Sequence, residues 1–166
     1  MTPAARALRR VAPLAVTALA LVSGCASAPP RASARAGHGG EPSTAVELRR
    51  VAQTFNDEFD SGHYSEVYAR WDARSRALIR RSAYLFRHRA CPSEPQGTAR
   101  VLGAEPAPGP GGAWLVHYEL GGIVFTDYWY FDGRRWLFDI VRSNPSMARL
   151  YAGSFAAYAK AVGCRP

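Results

Sequence analysis

Lysine is all but absent from this chain: Lys160 stands alone among 21 basic residues, and the rest are arginine. With alanine also abundant, this reads first as GC-rich coding, which strips arginine of its usual value as a sign of phosphate recognition. Histidine is scarce too. His63, His88 and His117 are too scattered to present two imidazoles to one metal ion, so no metal centre is expected. His38 sits among glycines in "GHGG", but no strand precedes it and no phosphate loop follows from it. No serine lies in a nucleophile elbow, and no cofactor is expected. No apolar run reaches the roughly 20 residues that cross a bilayer as a helix. The longest, "VAPLAVTALALV", has 12 and contains Pro13.

That run is informative for what flanks it. Arg6, Arg9 and Arg10 precede it, small residues follow, and then comes Cys25 in "LVSGCASAPP". A charged, then apolar, then small-residue order is that of an export signal. The tetrad Val22, Ser23, Gly24, Cys25 resembles the bacterial lipobox, in which the cysteine thiol takes a diacylglyceryl group and the chain is cut before it. The resemblance implies residues 1–24 as a signal peptide and Cys25 as an acylated, palmitate-type anchor in the cell membrane. Two buried acyl chains hold a protein stably on a membrane where one does not. The alternative is an ordinary secretory signal with Cys25 left as a thiol. Losing the leader lowers the formal charge from +8 to about +5.

Residues 26–43 contain no Val, Leu, Ile or aromatic residue and read as a flexible linker. One domain is expected over residues 44–166. Thr44 with Glu47 forms a capping box, and Leu48, Val51, Ala52, Phe55 and Phe59 then share a helical face up to Gly62. A short helix over residues 65–71 and a longer helical region, broken near Ser82 and closed by Pro92, follow. "TARVLGAEP" supplies a strand. Three aromatic-rich strands come next, separated by Gly121-Gly122 and Asp132-Gly133, both suited to tight hairpins. The spacing predicts one final helix from Pro145, with Met147, Leu150, Tyr151, Phe155, Tyr158 and Val162 on one side. Helices followed by an antiparallel meander make an α+β plan.

The segment "FNDEFDSGHYSEVYARWDARSRALI", with the later hairpin ending in "YFDGRRWLF", resembles the nuclear transport factor two-like superfamily over residues 44–141. The resemblance implies N-terminal helices packed on a strongly curved antiparallel sheet, a cone with a pocket, to which the C-terminal helix is an addition. An unrelated sandwich of helices on one sheet is the structural alternative. The superfamily includes isomerases, cyclases and dehydratases, but no catalytic residue of theirs can be matched here one by one.

Pairing the meander through its turns places Trp114, Val116, Tyr118, Leu120, Ile123, Phe125, Asp127, Trp129, Trp136, Phe138 and Ile140 on one face. A three-residue second turn would flip the later strand and dissolve part of this cluster. Asp127 is its only charge. Desolvation among aromatics would raise its pKa and suit it to general acid or base work; the structural reading is a carboxylate bonded to a Tyr, Trp or Arg. A pocket is expected under the first helix, with Asp127 near its floor beside Tyr118 and Trp129, and with Trp114, Phe125 and Phe138 around it. His117 alternates away from Asp127, and His88 reads as solvated.

Residues 70–89 hold seven arginines against Asp72 alone. They read as a solvated helix face, or as contacts of Arg74, Arg80, Arg81 and Arg87 with an anionic lipid or wall polymer. With Cys25 used as anchor, Cys91 and Cys164 are an even pair in an exported domain and are expected to form a disulfide, the alternative being two buried thiols.

The main expectation is therefore an extracytoplasmic lipoprotein, held on the bilayer through acylated Cys25, whose domain binds a small apolar ligand or another envelope protein without catalysis. One alternative is an isomerase- or dehydratase-like enzyme using Asp127 with a Tyr. The other is a surface protein that docks on anionic polymers through arginine. Nucleic acid is not an expected partner of an exported protein.

Overall fold

The computed structural model describes residues 40–92 and 97–164, all within one compact unit; the leader, Cys25 and the linker up to residue 39 lie outside the described residues. The domain is α+β. Seven helices accompany one four-stranded antiparallel sheet of order β1-β2-β3-β4 among the described residues. No described helix is long and apolar enough to cross a membrane.

Helix α1 (Ala45–Asp60) starts where Thr44 Oγ1 accepts the Glu47 N–H at 3.2 Å, one half of the expected capping box. Glu47 itself turns to Arg50 instead of the cap. Gly62, at φ 76°, supplies the left-handed residue that ends the helix. Leu48, Val51, Ala52 and Phe55 are buried along the expected face. Gln53 fastens α1 to β1 (Arg100–Pro106), donating to the Ala99 carbonyl and accepting the Val101 N–H.

Helix α2 (Tyr64–Ala69) leads to Trp71, which forms a short parallel bridge with Phe138 of β4 (Trp136–Asp139). The anticipated long helical region divides into α3 (Ala73–Arg76), capped by Asp72, and α4 (Arg81–Ala90). Its break, over residues 77–80, falls just before the expected position near Ser82.

β2 (Ala113–Leu120) and β3 (Ile123–Phe131) pair through the two-residue Gly121-Gly122 turn, so that Leu120 opposes Ile123. Both glycines have positive φ, as a primed hairpin turn requires. The second connection is longer than a tight pair: Phe131 opposes Trp136 across four residues, 132–135, closed by Asp132 Oδ1 accepting the Arg134 and Arg135 N–H groups. An even loop preserves side-chain parity, so the aromatic face holds through β4. Ile140, expected on that strand, instead begins the one-turn helix α5 (Ile140–Ser143), because the Asp139 carboxylate caps it by accepting the Arg142 N–H.

The single C-terminal helix is two. α6 (Pro145–Ala152) stops at Gly153, whose extended backbone breaks the turn, and Ser154 caps α7 (Phe155–Ala161) by accepting the Ala157 N–H. Tyr151 and Tyr158 remain buried, while Val162 is exposed. Cys91, at the end of α4, and Cys164, past α7, form a disulfide with Cα atoms 5.5 Å apart.

Residues 40–42 are part of the domain, which shortens the expected linker at its C-terminal side. Glu41 accepts the Trp136 N–H and pairs with Arg70 at 2.7 Å, and the Pro42 carbonyl accepts the Trp136 indole N–H.

Candidate functional site

The two-residue turn sets Tyr118 opposite Phe125, Val116 opposite Asp127 and Trp114 opposite Trp129. Opposed residues share a face. Tyr118 and Phe125 stack at 5.5 Å between ring centroids, and Asp127 follows Phe125 on the same side. One residue further on, Tyr128 is already paired with Asp139, where β4 gives way to α5. Ser143, closing α5, reaches back here: its oxygen accepts the Tyr128 N–H at 2.8 Å and its hydroxyl donates to Asp127.

Between this face and the helices lies a cavity of about 350 Å³. The C-terminal half of α1 forms one wall with Phe55, Asn56, Phe59 and Asp60; α2 and its exit contribute Tyr64, Val67 and Trp71. Tyr84, Ile140, Asn144, Met147 and Tyr151 close the far side. Asp60 and Phe125, both exposed, mark the mouth. Burial pushes the Asp127 carboxyl up to about 7, against the opposing bond from Ser143. Asp60 is also raised, by partial burial in excess of the lowering bond from the Ala99 N–H. Burial, and then the neighbouring Asp127 charge, raises the Tyr118 hydroxyl.

Of the residues expected around the pocket, Asp127, Tyr118, Phe125 and Phe138 line it. Trp129 does not. Phe55 packs edge-on over it at 5.3 Å and seals it into the core at 1 % exposure. Trp114 is displaced as well, packing edge-on against Trp136 at 5.4 Å near the other end of the sheet. Phe55, Phe59 and Trp71 form walls rather than a plug. His117 faces away from the cavity and bonds Thr126 and Glu105.

Behind the far wall the structure corrects two readings of α4. His88 is not solvated but 2 % exposed, stacked on Tyr64 at 4.2 Å, with Nε2 2.9 Å from the Tyr151 hydroxyl. Burial lowers its pKa to about 4, leaving a neutral imidazole. Arg87 is buried too. Its guanidinium donates to the Leu150, Tyr151 and Gly153 carbonyls at the end of α6 and is spent on them, so it is not a surface contact. Arg74, Arg80 and Arg81 are exposed, Arg81 donating to Ser65.

The arrangement can enclose an apolar body and present one carboxyl poised between its two protonation states near neutrality. The buried Trp71 indole N–H, in the wall, has no acceptor among the described residues. No group of His, Cys, Asp and Glu among them could hold a metal ion. The first helix bounds the cavity as expected, but the polar residues it contributes were missed from sequence, though a signal existed: Asn56 and Asp60 flank the apolar stripe of α1 at a spacing of four. Comparison of the chain with protein-family models, curated proteins and solved structures finds no match.

Proposed function

We propose that this protein is an extracytoplasmic lipoprotein, anchored to the cell membrane through acylated Cys25, whose domain binds a small and largely apolar molecule. The cavity between α1 and the β2–β3 face carries this reading. Its volume of about 350 Å³ falls in the range of small-molecule sites, and its walls have their usual composition, apolar and aromatic with few polar groups. A cone of the nuclear transport factor two-like kind belongs to the same reading, supported by helices that precede an antiparallel meander and cover one of its faces. The Cys91–Cys164 disulfide supports an oxidising, extracytoplasmic location. The leader with its Val22-Ser23-Gly24-Cys25 tetrad supports the anchor.

The test is binding of N-phenylnaphthylamine, an uncharged apolar fluorophore, to the mature chain. Its fluorescence rises on entering the cavity, and Met147→Trp, which fills the space from α6, removes the rise. A wild-type chain that produces no enhancement defeats the reading. For the anchor, cells fed a labelled fatty acid should label the wild type and leave Cys25→Ser unlabelled.

One observation favours a second reading. A carboxyl with a pKa of about 7 in an aromatic pocket suits general acid or base catalysis of an isomerase or dehydratase type. Under that reading Asp127→Asn retains the ligand and loses turnover.

A further inference from the structure

We propose that the ligand is an organic cation, an amine or quaternary ammonium on an apolar body, with its charge taken by Asp127. This rests on the ligand-binding reading above and names the chemical class it takes.

The ionisable charge in the cavity is of one sign. Without the leader the chain carries a formal net charge of about +5, yet among the described residues the cavity lining includes no Lys, Arg or His, and the formal charges there are Asp127 within and Asp60 at the mouth. A fatty acid or a lipid phosphate would bring a second negative charge into a space with nothing to neutralise it, which is strongly unfavourable away from water. Anions are therefore rejected, and cations are drawn in past Asp60.

Asp127 is also incompletely served by the protein. Among the described residues its side-chain hydrogen bond comes from a neutral hydroxyl, that of Ser143, and no salt bridge reaches it. Asp127 is half-buried; a carboxylate drawn away from water is stable when paired, and a ligand ammonium supplies the missing partner. The aromatic walls suit the same charge: the Tyr118–Phe125 stack and Tyr64 line the cavity with electron-rich rings, which attract cations, quaternary ammonium groups included. Phe138, Ile140 and Met147 accommodate the apolar remainder.

The groups facing Asp127 define its pH response. Across the strand pair stand Val116 and Tyr118; Ser143 comes from α5. Around the cavity are Asp60 of α1, Tyr64 of α2, Tyr84 of α4 and Tyr151 of α6. The Tyr84, Tyr118 and Tyr151 hydroxyls are all pushed upward by burial, and stay neutral. Ionisation of Asp127 thus dominates, and cation binding strengthens as pH rises through about 7.

The experiment is displacement of N-phenylnaphthylamine from the mature chain by three competitors of similar shape: benzyltrimethylammonium, its uncharged carbon isostere neopentylbenzene, and the anion phenylpropanoate. At about pH 8 the ammonium should compete about tenfold more strongly than the isostere, with the anion weakest. That advantage should shrink severalfold at about pH 5.5, a wild-type measurement independent of any variant, and should disappear in Asp127→Asn. If the fluorophore binds but the isostere or the anion matches the ammonium, the cation inference is overturned while the ligand-binding reading stands. If the fluorophore does not bind, both fall.

Discussion

The Arg87 guanidinium donates to the Gly153 carbonyl at 2.6 Å, joining positions 66 residues apart. It also bonds the Leu150 and Tyr151 carbonyls, so one buried cation satisfies the open C-terminal end of α6 and complements the negative end of its dipole. Because α6 carries Met147 and Tyr151 into the cavity, this contact sets where the far wall stands.

Arg87→Met should therefore destabilise the domain by about 3 kcal/mol, the cost of losing charge-assisted bonds and leaving carbonyls without a donor. Arg87→Lys recovers only part of this, since a point charge cannot fork to three acceptors. Arg74→Ala, on the exposed side, should change stability by less than about 0.5 kcal/mol. Urea unfolding of the three variants measures all of these, and equal midpoints for Arg87→Met and Arg74→Ala would contradict the capping role.

The half-buried Asp127 and the buried His88 should give opposite pH slopes. Asp127 holds its proton more tightly in the folded chain, at about 7 against an ordinary 3.8, so its contribution to stability falls as pH rises between those values. His88 releases its proton more easily when folded, at about 4 against 6.5, so its contribution falls as pH drops from 6.5 to about 4. Across the shared window the two oppose each other. In Asp127→Asn, thermal unfolding should become steadily more favourable to the fold as pH climbs from about 4 to about 6.5, leaving the His88 slope exposed. Profiles that run parallel in variant and wild type would count against the Asp127 shift.

The disulfide closes a loop spanning a sequence separation of 73. By chain entropy alone, opening it costs about 4 kcal/mol, an upper figure because real bridges often deliver less. The Cys25→Ser chain, denatured without reductant, should show no titratable thiol, and Cys164→Ser should lower the urea midpoint. Two free thiols in the first measurement would refute the bridge.

The sheet was legible because its turns have even lengths and its side chains alternate. Gly121-Gly122 announces one turn outright; the four-residue loop over 132–135 was read as a tighter one, but with the same parity, so Asp127 stayed on the aromatic face. Which aromatics line the cavity was not legible, since it depends on Phe55 covering Trp129, a contact between distant elements. On α4 the charge run concealed a buried face: Tyr84, Arg87, His88 and Cys91 follow the three-and-four spacing of a helix interior, and polarity obscured the period. At the C terminus the periodicity of Tyr151, Phe155 and Tyr158 ran on across Gly153-Ser154. The local preference of those two residues to end one helix and cap the next decided the outcome.

The docking of Glu41 and Pro42 on Trp136 gives the domain two poles. β3 runs about 30 Å between the Gly121-Gly122 turn and the loop over 132–135, and the chain joins the domain at the second of these ends. α1 departs from the same end and delivers Phe59 and Asp60 to the other, where Leu120 and Phe125 also lie. The doorway thus looks away from the end at which residues 41 and 42 dock. A bulky insertion in the loop over 132–135, at the pole where Glu41 docks, leaves the opening clear; one inserted at Gly121-Gly122 stands across it.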